Sequence, residues 1–136
     1  MSNTIFGING PVVTVASKDF SMQEMVYVGN ERLVGEVISI DDDLTTIQVY
    51  EVTTGLKPGE PVVGTGSAMS VTLGPGIIKN IYDGIQRPLR KISEQSGSFI
   101  ARGCTADGID PDTLWDVTVT AKVGDTLGEG EVYATC

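Results

Sequence analysis

Between residues 4 and 50 the chain alternates short apolar runs with turn residues. Asn9-Gly10-Pro11 precedes a β-branched run, Val12 to Val15, and Asn-Gly is a strong hairpin turn because both residues tolerate positive φ. A second pair of runs, Met25 to Val28 and Leu33 to Ile40, flanks Gly29-Asn30, and a third hairpin turns at Asp41 to Asp43. Ile38, Ile40, Ile47 and Val49 fall on alternate positions, which predicts that all four face one core. Pro58-Gly59 marks a further turn before a short strand at Val62-Val63, and "MSVTLG" (69–74) reads as a closing strand. Turns this frequent between β-rich runs predict a small antiparallel sheet that closes on itself.

The pattern changes at "LGPGIIKNIYDGIQRPLRKI" (73–92). Ile77, Ile78, Ile81, Tyr82 and Ile85 are spaced as an apolar stripe on a helix of about two turns. Pro75 suits a first helical turn, Gly84 a stop, and Pro88 pushes Arg87 into an extended conformation. So short a helix needs a docking partner for its stripe. Asp83 falls in its last turn, where the helix dipole disfavours a negative charge. Either Asp83 makes a specific polar contact, with Arg87 as the candidate partner, or it caps a surface turn.

Beyond residue 96 the pattern predicts loops around a short apolar strand, Phe99 to Ala101, and then two more strands within residues 114–136. "KVGDTLGEG" mirrors "KPGEPVVGT", but the match is too short for a repeat. The first seventy or so residues resemble a complete unit, large enough to fold cooperatively, and residues 104–136 are expected to be mobile or to pair between chains.

Composition narrows the function. The 136 residues carry 18 acidic and 9 basic side chains, a net charge of −9, and neither nucleic acid nor an anionic membrane surface is favoured by such a balance. No apolar run approaches a membrane span, and the N-terminus has no basic region followed by an apolar core of the secretory kind. Two cysteines, Cys104 and Cys136, without any histidine do not make a four-ligand metal site, and the commonest general base is missing. Cys104 is expected to be a small, half-buried residue, and a reducing compartment is expected. Asp41 to Asp43 lack the spacing, glycine and closing glutamate of a calcium loop. "GTGSAMS" lacks the lysine of a phosphate loop. A biotinyl- or lipoyl-type carrier would need a lysine at a hairpin tip, and Lys57 and Lys122 lack the small or methionine neighbours that such a tip carries.

The stretches "GPVV", "LVGEVI", "IQVYEVTTGLKPGEPVVGTGSAMSVTLGPGIIKNIYDGIQRPL" and "SGSFIARG" resemble the start of the catalytic A subunit of V-type and archaeal-type rotary ATPases. "DGIQRPL" and "FIARG" point to the A subunit rather than to its B or F-type relatives. The resemblance implies a mainly β chain. Residues 1–72 would form a six-stranded antiparallel β-barrel, 73–109 a short helix and connector leading into a truncated nucleotide-binding domain, and 110–136 the start of a β-rich bulge. It implies barrels joined as a crown in an alternating hexamer of A and B subunits, with the bulge facing a peripheral stalk. The machine would couple ATP hydrolysis or synthesis to H⁺ or Na⁺ transport and lie in the cytoplasm, peripheral to the membrane. It would use ATP and Mg²⁺, through a phosphate loop, a catalytic glutamate and an arginine finger that fall beyond residue 136.

No catalytic, cofactor-binding or metal-binding residue carries over to this chain, so it is expected to be no enzyme alone. Gly74, Pro75, Gly76, Asp83, Gly84, Gln86, Arg87 and Pro88 are the connector and interface candidates. Cys104 stands where the family is expected to have a small aliphatic residue such as valine. The alternative to a fragment of this kind is a stand-alone crown module that regulates or binds the ATPase ring.

Overall fold

The computed structural model describes residues 3–136. Six strands form one antiparallel sheet: β1 (Ile5–Asn9), β2 (Val12–Val15), β3 (Glu24–Val28), β4 (Leu33–Asp41), β5 (Leu44–Val49) and β6 (Val62–Ala68), in the spatial order β1-β2-β5-β4-β3-β6. Backbone bonds join the two edges of that order. Thr4 bridges Pro61, Ile5 N–H donates to the Glu60 carbonyl at 2.9 Å, Gly59 N–H to the Ile5 carbonyl at 2.8 Å, and Val62 N–H to the Asn3 carbonyl at 2.8 Å. The sheet is therefore a closed barrel, and closure leaves no long edge for another chain to pair with.

The hairpin turns lie where the turn residues predict them. Gly10 and Gly29 take positive φ, as does Asp42 between β4 and β5. The interior is made of alternate strand residues, among them Val13, Val15, Val26, Val28, Leu33, Val37 and Ile47, all fully buried. Each such side chain is worth about 1.5–3 kcal/mol relative to exposure. Glu24 is a buried carboxylate on β3, held by Ser21 N–H at 2.8 Å and Gly66 N–H at 2.9 Å. Gly64 makes room for it, since a Cβ there would lie 2.3 Å from Glu24 Oε1.

Four expectations need correction. Ile38 is exposed while Ile47 and Val49 are buried and Ile40 packs partly against the core. The cause is a bulge in β4: Val37 pairs with Ile47 but Ser39 with Thr46, and the extra residue turns Ile38 outward. The closing strand is β6; residues 69–74 have no strand partner. Residues 99–101 form no strand either, and Phe99 is 86% exposed, because no sheet edge lies open to receive them.

The fourth correction concerns the connector. The helical stripe does not form: only Pro75–Ile77 make a 3-10 turn, and Ile78 is already extended. Lys79 and Gln86 have positive φ, which ends any helix. Residues 81–88 instead make a tight hairpin-like turn, with Leu89 N–H donating to the Ile81 carbonyl at 2.9 Å and Asp83 N–H to the Arg87 carbonyl at 3.1 Å. Asp83 drives it: its Oδ1 accepts Ile85 N–H at 3.1 Å and Arg87 N–H at 2.9 Å, an alternative to helix that short acidic side chains offer the backbone. Ile78 and Ile81 are left 74% and 72% exposed. The α-helix, α1 (Leu89–Ser96), starts after Pro88, buries Ile92 and ends at Gly97 with φ 75°. Further on, only β7 (Thr118–Val119) and β8 (Ala134–Thr135) pair, over two residues each. No helix among the described residues is long and apolar enough to cross a membrane.

Candidate functional site

The candidate site is the joint between barrel and connector. Glu51 follows the end of β5, two residues past the buried Val49, so its side chain turns toward the same end of the barrel. Arg87 is held extended by Pro88 and reaches back over the 81–88 hairpin. Its Nε donates to Asp83 Oδ2 at 2.7 Å, and its Nη1 donates to the Cys104 carbonyl at 3.0 Å and lies 3.4 Å from Glu51 Oε2. The three side chains are only 7–17% exposed. Glu51 also accepts Gly103 N–H at 3.0 Å and Val34 N–H at 3.5 Å. A guanidinium with its planar fork suits such a three-way contact, which an ammonium would not reproduce.

Burial would raise the Asp83 carboxyl, but hydrogen bonds from the Arg87 backbone and guanidinium and from Ile85 N–H, with the Arg87 charge, hold it below the usual carboxylate range. Burial likewise works against the Arg87 charge, and the bonds and charges of Asp83 and Glu51 outweigh it, so Arg87 stays a cation above its ordinary range. The pairing of Asp83 with Arg87 anticipated from the sequence is therefore present, on a turn and not on a helix.

A second guanidinium fastens the outside of the joint. Arg102 Nη2 lies 2.7 Å from Glu31 Oε2, and its Nη1 donates to the Thr54 carbonyl. Beside it, Gly103 (φ 64°) lies so close to the barrel that a Cβ would meet the Glu31 carbonyl oxygen at 2.1 Å. Any other residue there would have to move the loop.

The remaining candidates are spread along the connector. Gln86 pairs through both ends of its amide with the backbone of Thr72, at 2.8 and 2.7 Å. Pro88 is buried and bridges Tyr82. Gly74 and Gly76 pack beneath Ile109, Pro75 opens the 3-10 turn, and Gly84 is exposed with open space around it. The structure thus brings Asp83, Arg87 and Pro88 into the joint, sets Gln86 beside it, and leaves Gly74, Pro75, Gly76 and Gly84 outside it. Sequence reasoning missed Glu51, Glu31, Arg102 and Gly103. The signal for Glu51 was an acid just past an alternating strand; its partners lie 36 and 52 residues away.

A cleft of about 480 Å³ opens between the barrel wall and the connector, lined by Tyr27, Val34, Ile85, Arg87, Lys91 and Cys104 among others. Cys104 is half-buried with Sγ 3.2 Å from Gln95 Oε1. The carboxylates at the joint are already engaged by guanidinium and backbone N–H, so the arrangement fastens three segments together. No group of three or more His, Cys, Asp or Glu that could hold a metal ion occurs among the described residues.

Comparison with known proteins gives concordant results. Residues 5–66 match the ATP synthase alpha/beta family, beta-barrel domain. The V-type ATP synthase alpha chain of Halothermothrix orenii is 56% identical over 128 residues, 93% of this chain and 22% of that protein. The A subunit of the A-type ATP synthase of Halobacterium salinarum is 50% identical over 131 residues, and that of Methanosarcina barkeri 53% identical over 128; each match covers 22% of the relative. The chain therefore spans about a fifth of the length of these relatives. Among solved structures, the assembled ATPase EscN of the enteropathogenic E. coli type III secretion system superposes with a TM-score of 0.59 at 22% identity, covering 63% of this chain and 21% of that one. At that identity the likeness speaks for the fold alone.

Proposed function

Because residues 5–66 match the β-barrel domain of the ATP synthase alpha/beta family and nearly all of the chain aligns with V/A-type A subunits, we propose that it serves as the N-terminal part of such a subunit. Its role is assembly: the barrel joins the barrels of neighbouring A and B subunits in an alternating hexamer. The parent machine couples ATP hydrolysis or synthesis to H⁺ or Na⁺ movement across a membrane, to which it is peripheral on the cytoplasmic side. ATP and Mg²⁺ belong to the remainder of the parent protein. On this reading 1–72 is the crown domain, 73–109 the connector and 110–136 the start of the bulge that faces the peripheral stalk.

The single observation that carries this reading is overall identity of 50–56% in matches that cover 93–96% of the chain. Sedimentation of the chain mixed with separately prepared B subunits tests it. A complex heavier than either component is expected, with no ATP bound by the chain itself in calorimetry. Components that sediment independently, or ATP binding by this chain, would refute the assembly reading. The closed barrel also favours a second reading, a crown module acting by itself on an assembled ring, since closure lets the barrel stand without the rest of the parent protein. Inhibition of a preassembled ATPase by the added chain would single that one out.

A further inference from the structure

The barrel core is complete without the connector: its buried hydrophobic cluster draws on residues 5 to 62 only. After Val62, Pro88 and Ile92 are the buried apolar side chains among the described residues, and the connector isoleucines Ile78 and Ile81 face solvent. Apolar burial in the connector is thus confined to Pro88 and Ile92, and the hairpin and the returning loop need other ties to the barrel. Polar contacts supply them. Arg87 joins the 81–88 hairpin (through Asp83) to the barrel (through Glu51) and to the returning loop (through the Cys104 carbonyl). Glu51 takes the same loop by Gly103 N–H, and Arg102 pins it again to Glu31 and Thr54.

We propose that Arg87 is the pin of a latch that locks hairpin 81–88 and loop 101–105 to the end of the barrel, and that the latch opens without unfolding the barrel. The inner pin is Arg87, less exposed than Arg102 and bonded to three partners; Arg102 is the outer, weaker one. With the latch closed, the direction in which the chain leaves the barrel is fixed; with it open, hairpin and loop swing free. This inference concerns the chain's own joint and does not depend on the proposed assembly role.

Amide hydrogen exchange on the 136-residue chain tests it, because the Gly103 N–H that Glu51 accepts reports the latch directly. Arg87→Met is expected to lower protection across 83–89 and 101–105 by about tenfold or more, since charge-assisted contacts of this kind are lost together. β2, β3 and β5 should keep theirs. Arg87→Lys should give an intermediate loss, since it keeps the charge but not the fork. Arg102→Met should loosen 101–105 and leave 83–89 unchanged. Unchanged protection at Gly103 in Arg87→Met would overturn the proposal. So would a matching loss in the barrel strands or failure of Arg87→Met to fold, because the latch would then be part of the barrel's own stability.

Discussion

Residues 3–68 and residues 99–136 are both rich in alternating apolar residues and glycine turns, yet they fold to different extents. In the first, alternate residues meet across a closed sheet, and Val13, Val15, Val26, Val28, Leu33, Val37 and Ile47 are fully buried. In the second, Phe99, Leu114, Val117, Val119, Val123, Val132 and Tyr133 are all exposed, and two residues pair with two. Alternation predicts that a segment can form a strand; it does so only where its apolar face has another to cover it. The barrel supplies that cover from its own sequence, and the 99–136 region does not.

The strongest way to break this comparison is to truncate one side chain in each region. Ile47→Ala removes a fully buried side chain and should cost about 2–5 kcal/mol in urea unfolding. Leu114→Ala, at a side chain 93% exposed, should stay within about 0.5 kcal/mol. Equal losses at the two sites would mean that the tail has a core of its own.

Legibility followed the same division. Hairpin turns were readable because glycine, asparagine and aspartate act on their own backbone, as at Gly10, Gly29 and Asp42. The β4 bulge was not, since one extra residue leaves the composition unchanged while it reverses the facing of Ile38. At the joint, the Asp83–Arg87 pair was visible as a local conflict, but the stripe of isoleucines pointed to a helix that Asp83 itself prevents. Glu51 and Arg102 were invisible because their roles arise only when residues far apart in the chain meet, as Glu51 does with Arg87 and Gly103, and Arg102 with Glu31 and Thr54. The family resemblance supplied the strand number of the barrel, which turn spacing alone did not.

A smaller effect sharpens the contrast at the boundary between the regions. Asp83 titrates below its unfolded range, so its contribution is present above the unfolded carboxylate pKa and is lost as pH falls through the depressed folded value. The charged groups around it are Arg87 and, beyond that, Glu51, with Lys91 and Asp107 on the same cleft. Between about pH 6 and pH 3, wild-type protein should lose more stability than Asp83→Asn, which keeps an oxygen for the Ile85 and Arg87 amides but has no charge to neutralise. Parallel stability curves for the two proteins would show that the Asp83 charge does not hold the joint.

The smallest effect lies on the outer wall of the barrel. Tyr50 OH donates to Glu36 Oε2 across neighbouring strands, and that bond, with burial and the carboxylate charge, raises the phenol above its ordinary pKa. Ionising the phenol would remove its donor and set two anions together. The contact therefore stabilises the fold below the unfolded phenol range, near about 10, and is lost as pH rises through the folded value. Tyr50 is 43% exposed, so solvent screens the pair and the loss of stability should be slight. Ultraviolet titration reads it more sensitively than unfolding does: Glu36→Gln should move one phenol down toward the ordinary range, and Tyr50→Phe should remove that same transition. A titration indifferent to Glu36→Gln would mean that Tyr50 and Glu36 do not hold each other on the barrel wall.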